Sequence, residues 1–212
     1  MSYSQLVSHV KLSPNCTKPR NQKIDTVTIH MVVGQASVES LGELFANPER
    51  QASSNYGIGS DGRIACYVEE EDRSWCTGSR ENDHRAITIE VASDTTHPYA
   101  VNEKAYAALL DLVEDICRRH NITLKYTGDT SGNMTMHKWF QATDCPGDYL
   151  ISKYPEIEKE VNARLRGEAK RDVFYRVQCG AFNERKNAEA MRDNLRKQGY
   201  KDAFIVEVER SK

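Results

Sequence analysis

The sequence predicts an α/β fold in which helices flank a mixed central sheet, followed by a small β-α-β module at the carboxy terminus. Residues 25–33 are rich in β-branched side chains and predict a buried strand. Residues 86–91 alternate isoleucine and valine with polar side chains, which is typical of a second strand. Residues 103–120 place apolar side chains at helical spacing after Asn102, a favourable N-cap. Strands that alternate with helices favour a sheet covered by helices.

Shorter elements complete the predicted domain. Ser37 can cap a helix that runs to about residue 45. The turn at residues 60–62, Ser-Asp-Gly, joins the two strands of a hairpin. Residues 148–165 predict a helix that is interrupted before Pro155, because the residue before a proline disfavours helical backbone.

Size and composition exclude several classes of protein. A chain of 212 residues can bury a core without disulfide staples. Its net charge of −2 gives no overall reason to expect nucleic-acid binding. A mean hydropathy of −0.67, with no apolar run near the roughly 20 residues that span a bilayer, argues against membrane insertion. The amino terminus holds too short an apolar stretch for a signal peptide, so we expect synthesis in the cytoplasm.

The six cysteines are expected to be reduced thiols. They are widely spaced, no Cys-x-x-Cys pair occurs, and a disulfide framework requires a secreted context. Cys66 and Cys76 could bridge, but synthesis in the cytoplasm argues against it. We expect a chemical role for Cys145 and ordinary buried thiols elsewhere.

The chain divides at a charged, apolar-poor stretch. We predict a main domain at residues 1–165, a linker at 166–172 and a separate module at 173–212. The charge divides at the same place, with a net −6 before Arg166 and a net +4 from Arg166 onward. The near-neutral total therefore hides an acidic body and a basic tail.

The carboxy-terminal module reads as strand, helix, strand. We expect a strand at residues 173–182, a helix near 183–198 and a second strand at 203–208. Gly199 stands where a left-handed helix cap belongs. The residues that this helix is expected to bury are Ala188, Met191 and Leu195.

Three residues have the side chains of a catalytic metal site, which uses three protein ligands and leaves a fourth position for water. His30 lies late in a predicted strand, where a ligand can be held rigidly. His137 and Cys145 lie eight residues apart on a loop, and they make a site only if a distant third ligand joins them. The alternative is a core histidine and a buried cysteine, and the spacing alone does not decide between the two.

Four blocks of sequence, in order, add a family resemblance. They are Thr28-Ile29-His30, Asn55-Tyr56-Gly57-Ile58, Ile87-Thr88-Ile89-Glu90, and His137 followed by Thr143-Asp144-Cys145-Pro146-Gly147. Over about residues 20–165 the chain resembles the type-2 N-acetylmuramoyl-L-alanine amidases. That family includes small phage lysozyme-type amidases and the animal peptidoglycan recognition proteins.

The resemblance implies a Zn²⁺ ion bound by His30, His137 and Cys145, and hydrolysis of the amide that joins N-acetylmuramic acid to L-alanine. The metal would lower the pKa of the attacking water toward about 7. Tyr56 matches a family tyrosine that hydrogen-bonds near that water or the oxyanion. The alternative for Tyr56 is an aromatic residue in the core of the hairpin.

Two further positions have implied roles. Glu90 matches an acidic position that is a general base in some members and structural in others. Thr143 stands where some members carry lysine, so its hydroxyl could offer the oxyanion one hydrogen bond that is weaker than a charge-assisted one. The resemblance therefore implies activity, with a rate penalty at Thr143.

Other candidates lie beside the expected cleft. Trp75 could stack on sugar, although a packed loop tryptophan is the commoner explanation. Arg80 could pair with a stem-peptide carboxylate, as could Arg73 or Arg85, and solvated surface side chains are the alternative. His84 and His97 are expected to be exposed; they are not candidates for the site.

The tail resembles the first half of a SPOR repeat, a module that binds septal peptidoglycan. The run from Val177 to Asn183 carries this resemblance, and Gln178 and Phe182 are its candidate wall-binding residues. A whole SPOR domain has two such halves in one four-stranded sheet, and a lone half would leave a strand edge open. We expect two copies to pair as a homodimer, with docking on the main domain or a vestigial tail as alternatives.

The function expected from the sequence is a zinc peptidoglycan amidase that acts as a phage or prophage endolysin. Such a protein would wait in the cytoplasm and reach the bacterial cell wall through a holin pore. One alternative is a cytosolic amidase that recycles wall fragments, which would gain little from a wall-binding tail. The other is a non-catalytic peptidoglycan receptor, but receptors of this family typically lose the cysteine ligand, and Cys145 is present.

Overall fold

The structure is a computed structural model that describes residues 2–168, 180–200, 203 and 205. The chain forms two compact units, Met1–Lys170 and Arg171–Lys212. The strands are β1 (Val7–Val10), β2 (Cys16–Thr17), β3 (Thr26–Val33), β4 (Tyr56–Ile58), β5 (Ile64–Cys66), β6 (Arg73–Ser74), β7 (Ala86–Ser93) and β8 (Met134–Thr135). The helices are α1 (Val38–Ala46), α2 (Arg80–Arg85), α3 (Glu103–His120), α4 (Gly147–Leu165) and α5 (Arg185–Lys197).

A six-stranded sheet organises the first unit, in the order β1-β5-β4-β7-β3-β8. The central β3 pairs with β7 and β8 in parallel, and β4 also runs parallel to β7. The hairpin of β4 and β5 is antiparallel, so the sheet is mixed. The fold class predicted from the sequence is confirmed. The short strands β2 and β6 form a separate antiparallel pair.

The two faces of the sheet differ in chemistry because side chains alternate along a strand. One face is apolar: Ile29 of β3 and Ile89 of β7 are fully buried in a core cluster with side chains of α3 and α4. The other face carries Thr28, Thr88 and His30, which are polar and buried. Buried polar side chains in the middle of a sheet require hydrogen-bond partners. The candidate metal site lies on this polar face.

Local capping fixes two of the helices where the sequence predicts them. The Ser37 side chain accepts a hydrogen bond from the Ser40 amide and forms a capping box at α1. Asn102 caps α3 through the Ala105 amide, and the bounds of α3 match the predicted 103–120. Both helices bury one apolar face.

The predicted interruption before Pro155 is wrong, because α4 continues from Gly147 to Leu165 with the proline inside it. An internal proline removes one helix hydrogen bond. Leu150, Tyr154 and Ile157, on both sides of the proline, are fully buried against the core. Their packing holds both halves of the helix in place, and tertiary burial outweighs the local penalty.

In the second unit the described residues include helix α5, close to the predicted 183–198. Ala188, Met191 and Leu195 are half-buried in this unit rather than fully buried. Gly199 has a φ of +104° at the end of the helix, as its predicted cap role requires. Most of the two predicted strands, and most of the predicted linker, lie outside the described residues.

Candidate metal centre

The pairing of β3 with β7 places His30 beside Glu90. The two strands run parallel, and His30 is the register partner of Glu90. Their side chains therefore share the polar face of the sheet, while Ile29 and Ile89 point to the helices. A central strand pair is the most rigid support that the fold offers to a ligand.

His137 and Cys145 come from one loop that folds back on itself. His137 begins a short 3₁₀ turn just after β8, and the Lys138 amide donates to the Cys145 carbonyl oxygen over 3.1 Å. The Met31 amide lies 3.5 Å from the Cys145 Sγ, which joins the loop to β3. Gly147, with φ of +81°, ends this turn. A Cβ at this position would lie only 2.9 Å from the Met31 Sδ, so the turn requires glycine.

The three candidate ligands converge. One donor atom from each of His30, His137 and Cys145 lies within 4.8 Å of the other two. The Cys145 Sγ is 3.4 Å from the His30 Nδ1, and the two imidazole rings are 5.0 Å apart. Two imidazoles and one thiolate are a donor set that suits a borderline-soft cation such as zinc.

The protonation states of the buried ligands fit metal binding. Burial, and then the neighbouring His137, lower the pKa of His30 to about 3, so its imidazole is neutral. Burial, and then the charge of Glu90, raise the pKa of the Cys145 thiol above its usual range. A cation that replaces the thiol proton would relieve this cost.

Two buried polar atoms lie beside this ligand set. The His30 Nε2 and the Glu90 Oε2 are buried and have no hydrogen-bond partner among the residues that the structure describes. Buried polar atoms are nearly always satisfied, so such atoms mark a place where a bound group belongs. Burial raises the pKa of Glu90 to about 8, and Arg50 lowers it by a smaller amount.

Tyr56 lies elsewhere than the family resemblance implies. It is the register partner of Ile89 and is fully buried on the helix-covered face, opposite His30 and Glu90. Its hydroxyl donates to Glu70 and accepts from the Ser4 amide. The alternative reading, an aromatic residue in the core, is correct for Tyr56, because strand alternation turns its side chain away from the site.

Thr143 lies two residues before the candidate ligand Cys145, and Trp75 lies directly before Cys76. The Thr143 hydroxyl accepts from the Cys145 amide over 3.2 Å, so it supports the ligand loop and can still donate its own hydrogen. The Trp75 indole N–H donates to the Thr17 hydroxyl, which fixes this half-buried ring. Arg80 is exposed at the start of α2.

The structure corrects the predicted exposure of one histidine and one arginine. His84 is buried, and its Nδ1 accepts from the Asn21 amide, whereas the sequence predicted exposure. The helix α2 that turns it inward gave no strong periodic signal. Arg73 is buried and donates to the Thr17 hydroxyl, whereas Arg85 is 40% exposed and forms an ion pair with Asp25. His97 is exposed, as predicted, and lies 2.7 Å from Asp148.

A polar groove lies on the same face of the sheet as His30, and Thr26 of β3 lines it rather than the candidate ligands. Asn82 donates to the Thr28 hydroxyl and accepts from the Thr135 hydroxyl, and Thr28 lies two residues before His30 on the same face. Above this network is a cavity of 200 Å³ whose lining includes Asn82, Thr135 and Phe140. Sequence reasoning missed Asn82, since a lone asparagine between two charged residues carries no recognisable pattern.

The five described cysteines, Cys16, Cys66, Cys76, Cys117 and Cys145, are free, so no bridge joins Cys66 to Cys76. Within the described ranges, no helix has the length and apolar character needed to cross a membrane.

Comparison with known families agrees with this geometry. Residues 20–148 match the N-acetylmuramoyl-L-alanine amidase family, and residues 172–212 match the SPOR domain. The chain belongs to the N-acetylmuramoyl-L-alanine amidase family, and it is an enzyme of that class. Its two matched domains indicate peptidoglycan as the partner. No curated protein matches the chain.

Several solved structures share the fold. A mutant endolysin from Bacillus subtilis is 20% identical, covering 72% of this chain and 97% of its own, with a TM-score of 0.57. The Staphylococcus aureus hydrolase AmiA, solved with its ligand, is 16% identical, covering 76% of this chain and 86% of its own, with a TM-score of 0.59. The endolysin LysCS from Clostridium intestinale is 17% identical, covering 76% of this chain and 97% of its own, with a TM-score of 0.54. At these identities the likeness establishes the fold alone.

Proposed function

We propose that the chain hydrolyses the amide between N-acetylmuramic acid and L-alanine with a Zn²⁺ ion held by His30, His137 and Cys145. The observation that carries this proposal is the convergence of their three donor atoms within 4.8 Å on the polar face of the sheet. A neutral imidazole pair with one thiolate leaves a net positive centre, which suits attack on an amide.

When bound, such an ion lowers the pKa of a water molecule and polarises the carbonyl oxygen. Glu90 would do the proton transfer. Its carboxylate lies in the same cluster as His30, so it can accept a proton from the attacking water and pass it to the leaving amine nitrogen of L-alanine. The orphan Oε2 is the acceptor available for that proton.

The groove would orient the substrate. Asn82, Thr135 and Phe140 line it, and the buried Thr28 hydroxyl accepts a hydrogen bond from the Asn82 amide. Polar groups of this kind suit the peptide bonds of a stem peptide, while the ring offers an apolar contact. Trp75 and Arg80 remain candidate contacts for sugar and carboxylate.

The SPOR-like tail would hold the enzyme on the wall. Its basic charge, net +4 from Arg166 onward, suits an anionic wall, and Gln178 and Phe182 are the candidate contacts. Phe182 is 42% exposed, whereas Gln178 lies outside the described residues. We propose that two tails pair to complete a four-stranded sheet, which light scattering at working concentration tests: a monomer mass would contradict it.

The wall-binding tail favours an endolysin, made in the cytoplasm and released through a holin pore, over an enzyme of fragment recycling. Purified full-length protein offered intact sacculi and soluble N-acetylmuramoyl peptides separates the two. An endolysin sediments with sacculi and cleaves them at the higher rate. Exclusive cleavage of the soluble peptides would favour recycling, and wall binding without cleavage would favour a receptor.

Metal content and cleavage test the mechanism together. The native chain should retain zinc after dialysis and release L-alanine amino termini from purified walls. Cys145→Ser should lose the zinc ion held with His30 and His137, and with it the release of L-alanine, because a serine hydroxyl is a poor zinc ligand. Cys117→Ser, at a buried thiol in α3, is the matched control and should keep both. Equal zinc and equal release in Cys145→Ser would refute the proposed ligand set.

A further inference from the structure

Cys76 is a half-buried free thiol on a fixed loop. It follows β6, and the Asp83 carboxylate accepts hydrogen bonds from the Cys76 and Thr77 amides over 3.1 and 3.2 Å. Asp83 is itself only 2% exposed, so this loop is fixed. The mechanism proposed above has no use for Cys76.

The Cys76 thiol belongs to a second cluster on the polar face. One donor atom from each of His30, Cys76 and Glu90 lies within 4.8 Å of the other two. Two members of this cluster supply the orphan atoms, the His30 Nε2 and the Glu90 Oε2. His30 is 1% exposed, so its nitrogen is closed off from bulk solvent. The cluster therefore combines a thiol with two buried polar atoms that have no hydrogen-bond partner among the described residues.

We infer that His30, Cys76 and Glu90 form a second metal position beside the first. A thiolate, an imidazole nitrogen and a carboxylate oxygen are all ligands that Zn²⁺ accepts. The two positions share His30 without competing for one atom. Its Nδ1 faces Cys145 at 3.4 Å, which leaves Nε2 for the second ion. With both positions filled, His30 would bind both ions as an imidazolate, and the ring proton, the Cys76 thiol proton and any proton on Glu90 would pass to solvent.

The second ion is inhibitory. It ligates Glu90, the carboxylate that must be free to accept a proton, so an ion here removes the base from the reaction. This consequence rests on the proposed function, whereas the binding itself does not. We expect the first equivalent of zinc to activate the enzyme and the second to inhibit it.

Zinc stoichiometry tests the binding independently of activity. Native mass spectrometry of the full chain, with increasing ZnCl₂, should show two equivalents for the native protein and one for Cys76→Ser. Cys117→Ser, the control for loss of a buried thiol, should still take two. The activity of each protein in excess zinc is then compared with its own activity at one equivalent. In Cys76→Ser the zinc concentration that inhibits should rise about tenfold or more, the scale of a lost supporting group.

Cobalt identifies the thiol directly, because a thiolate ligand gives Co²⁺ a charge-transfer absorption band. In Cys145→Ser the band should persist through Cys76, and it should disappear in the double variant Cys76→Ser, Cys145→Ser. A native chain that takes only one zinc, or a band in Cys145→Ser that survives the second substitution, overturns the second position. If the native chain binds two zinc ions but cleaves no amide, the second metal position is supported and the proposed function is refuted.

Discussion

The His137 Nε2 lies 3.1 Å from the Oε1 of Gln141, four residues further along the same loop. A glutamine oxygen only accepts, so this nitrogen carries the proton and the Nδ1 of His137 keeps its lone pair for a metal. Gly78 makes room for this contact, because a Cβ there would lie 1.9 Å from the Gln141 Nε2. A residue that the sequence did not single out thus sets the orientation of a candidate ligand.

We expect Gln141→Ala to weaken zinc binding by about tenfold or more, since loss of a group that orients a ligand typically costs that much. Competition with a chromogenic chelator measures the affinity. Gln141→Glu keeps an acceptor oxygen and should bind zinc as well as the native chain does. Equal affinity in Gln141→Ala would show that the contact does not orient His137.

Glu90→Gln tests the proton acceptor apart from the metal. The amide cannot accept the proton, so the rate of L-alanine release should fall by a factor on the order of 100 or more. The first equivalent of zinc should remain bound, since Glu90 is outside the first ligand set. Glu71→Gln, at an exposed position, serves as control. A rate within twofold of native would assign Glu90 a structural role.

Tyr56→Phe should change stability and leave catalysis intact. The substitution removes a buried hydroxyl that bonds Glu70 and the Ser4 amide, at a cost of about 1–3 kcal/mol in the free energy of unfolding. Urea denaturation gives that value, and the turnover number is measured well below the transition. A large loss of turnover in folded Tyr56→Phe would instead restore the family role for this residue.

Acid should destabilise the protein through Glu70. Burial alone would raise the pKa of Glu70, but hydrogen bonds from Arg119, His120 and Tyr56 outweigh it and lower the pKa to about 2. The folded pKa is below the ordinary 4.5, so this stabilisation is complete above pH 4.5 and is lost as the pH falls toward 2. It amounts to on the order of 3 kcal/mol.

Urea denaturation across this pH range checks the linkage. Glu70→Gln should be less stable near neutral pH and should lose much of the dependence between pH 4.5 and 2. Glu71→Gln, whose side chain is exposed, should follow the native curve. If the free energy of unfolding of Glu70→Gln falls with pH as steeply as that of the native protein, other carboxylates cause the acid sensitivity.

The sequence by itself determined the fold class and the ends of several elements. Asn102 and Ser37 were sufficient to locate the starts of α3 and α1 because a cap acts over three or four residues. Pro155 shows the limit of such local reasoning, since burial on both sides of it decided the outcome. His30, His137 and Cys145 were also candidates from the sequence, through their residue types and their family blocks.

Tertiary structure alone decided which candidates meet. The pairing of β3 with β7 puts His30 beside Glu90, across sixty residues of chain, and the same alternation turns Tyr56 to the opposite face. Cys76 and Gln141 enter the site only because their loops fold over the polar face of the sheet. Residue type and spacing report local geometry, whereas the face that a side chain occupies depends on strand register, a long-range property.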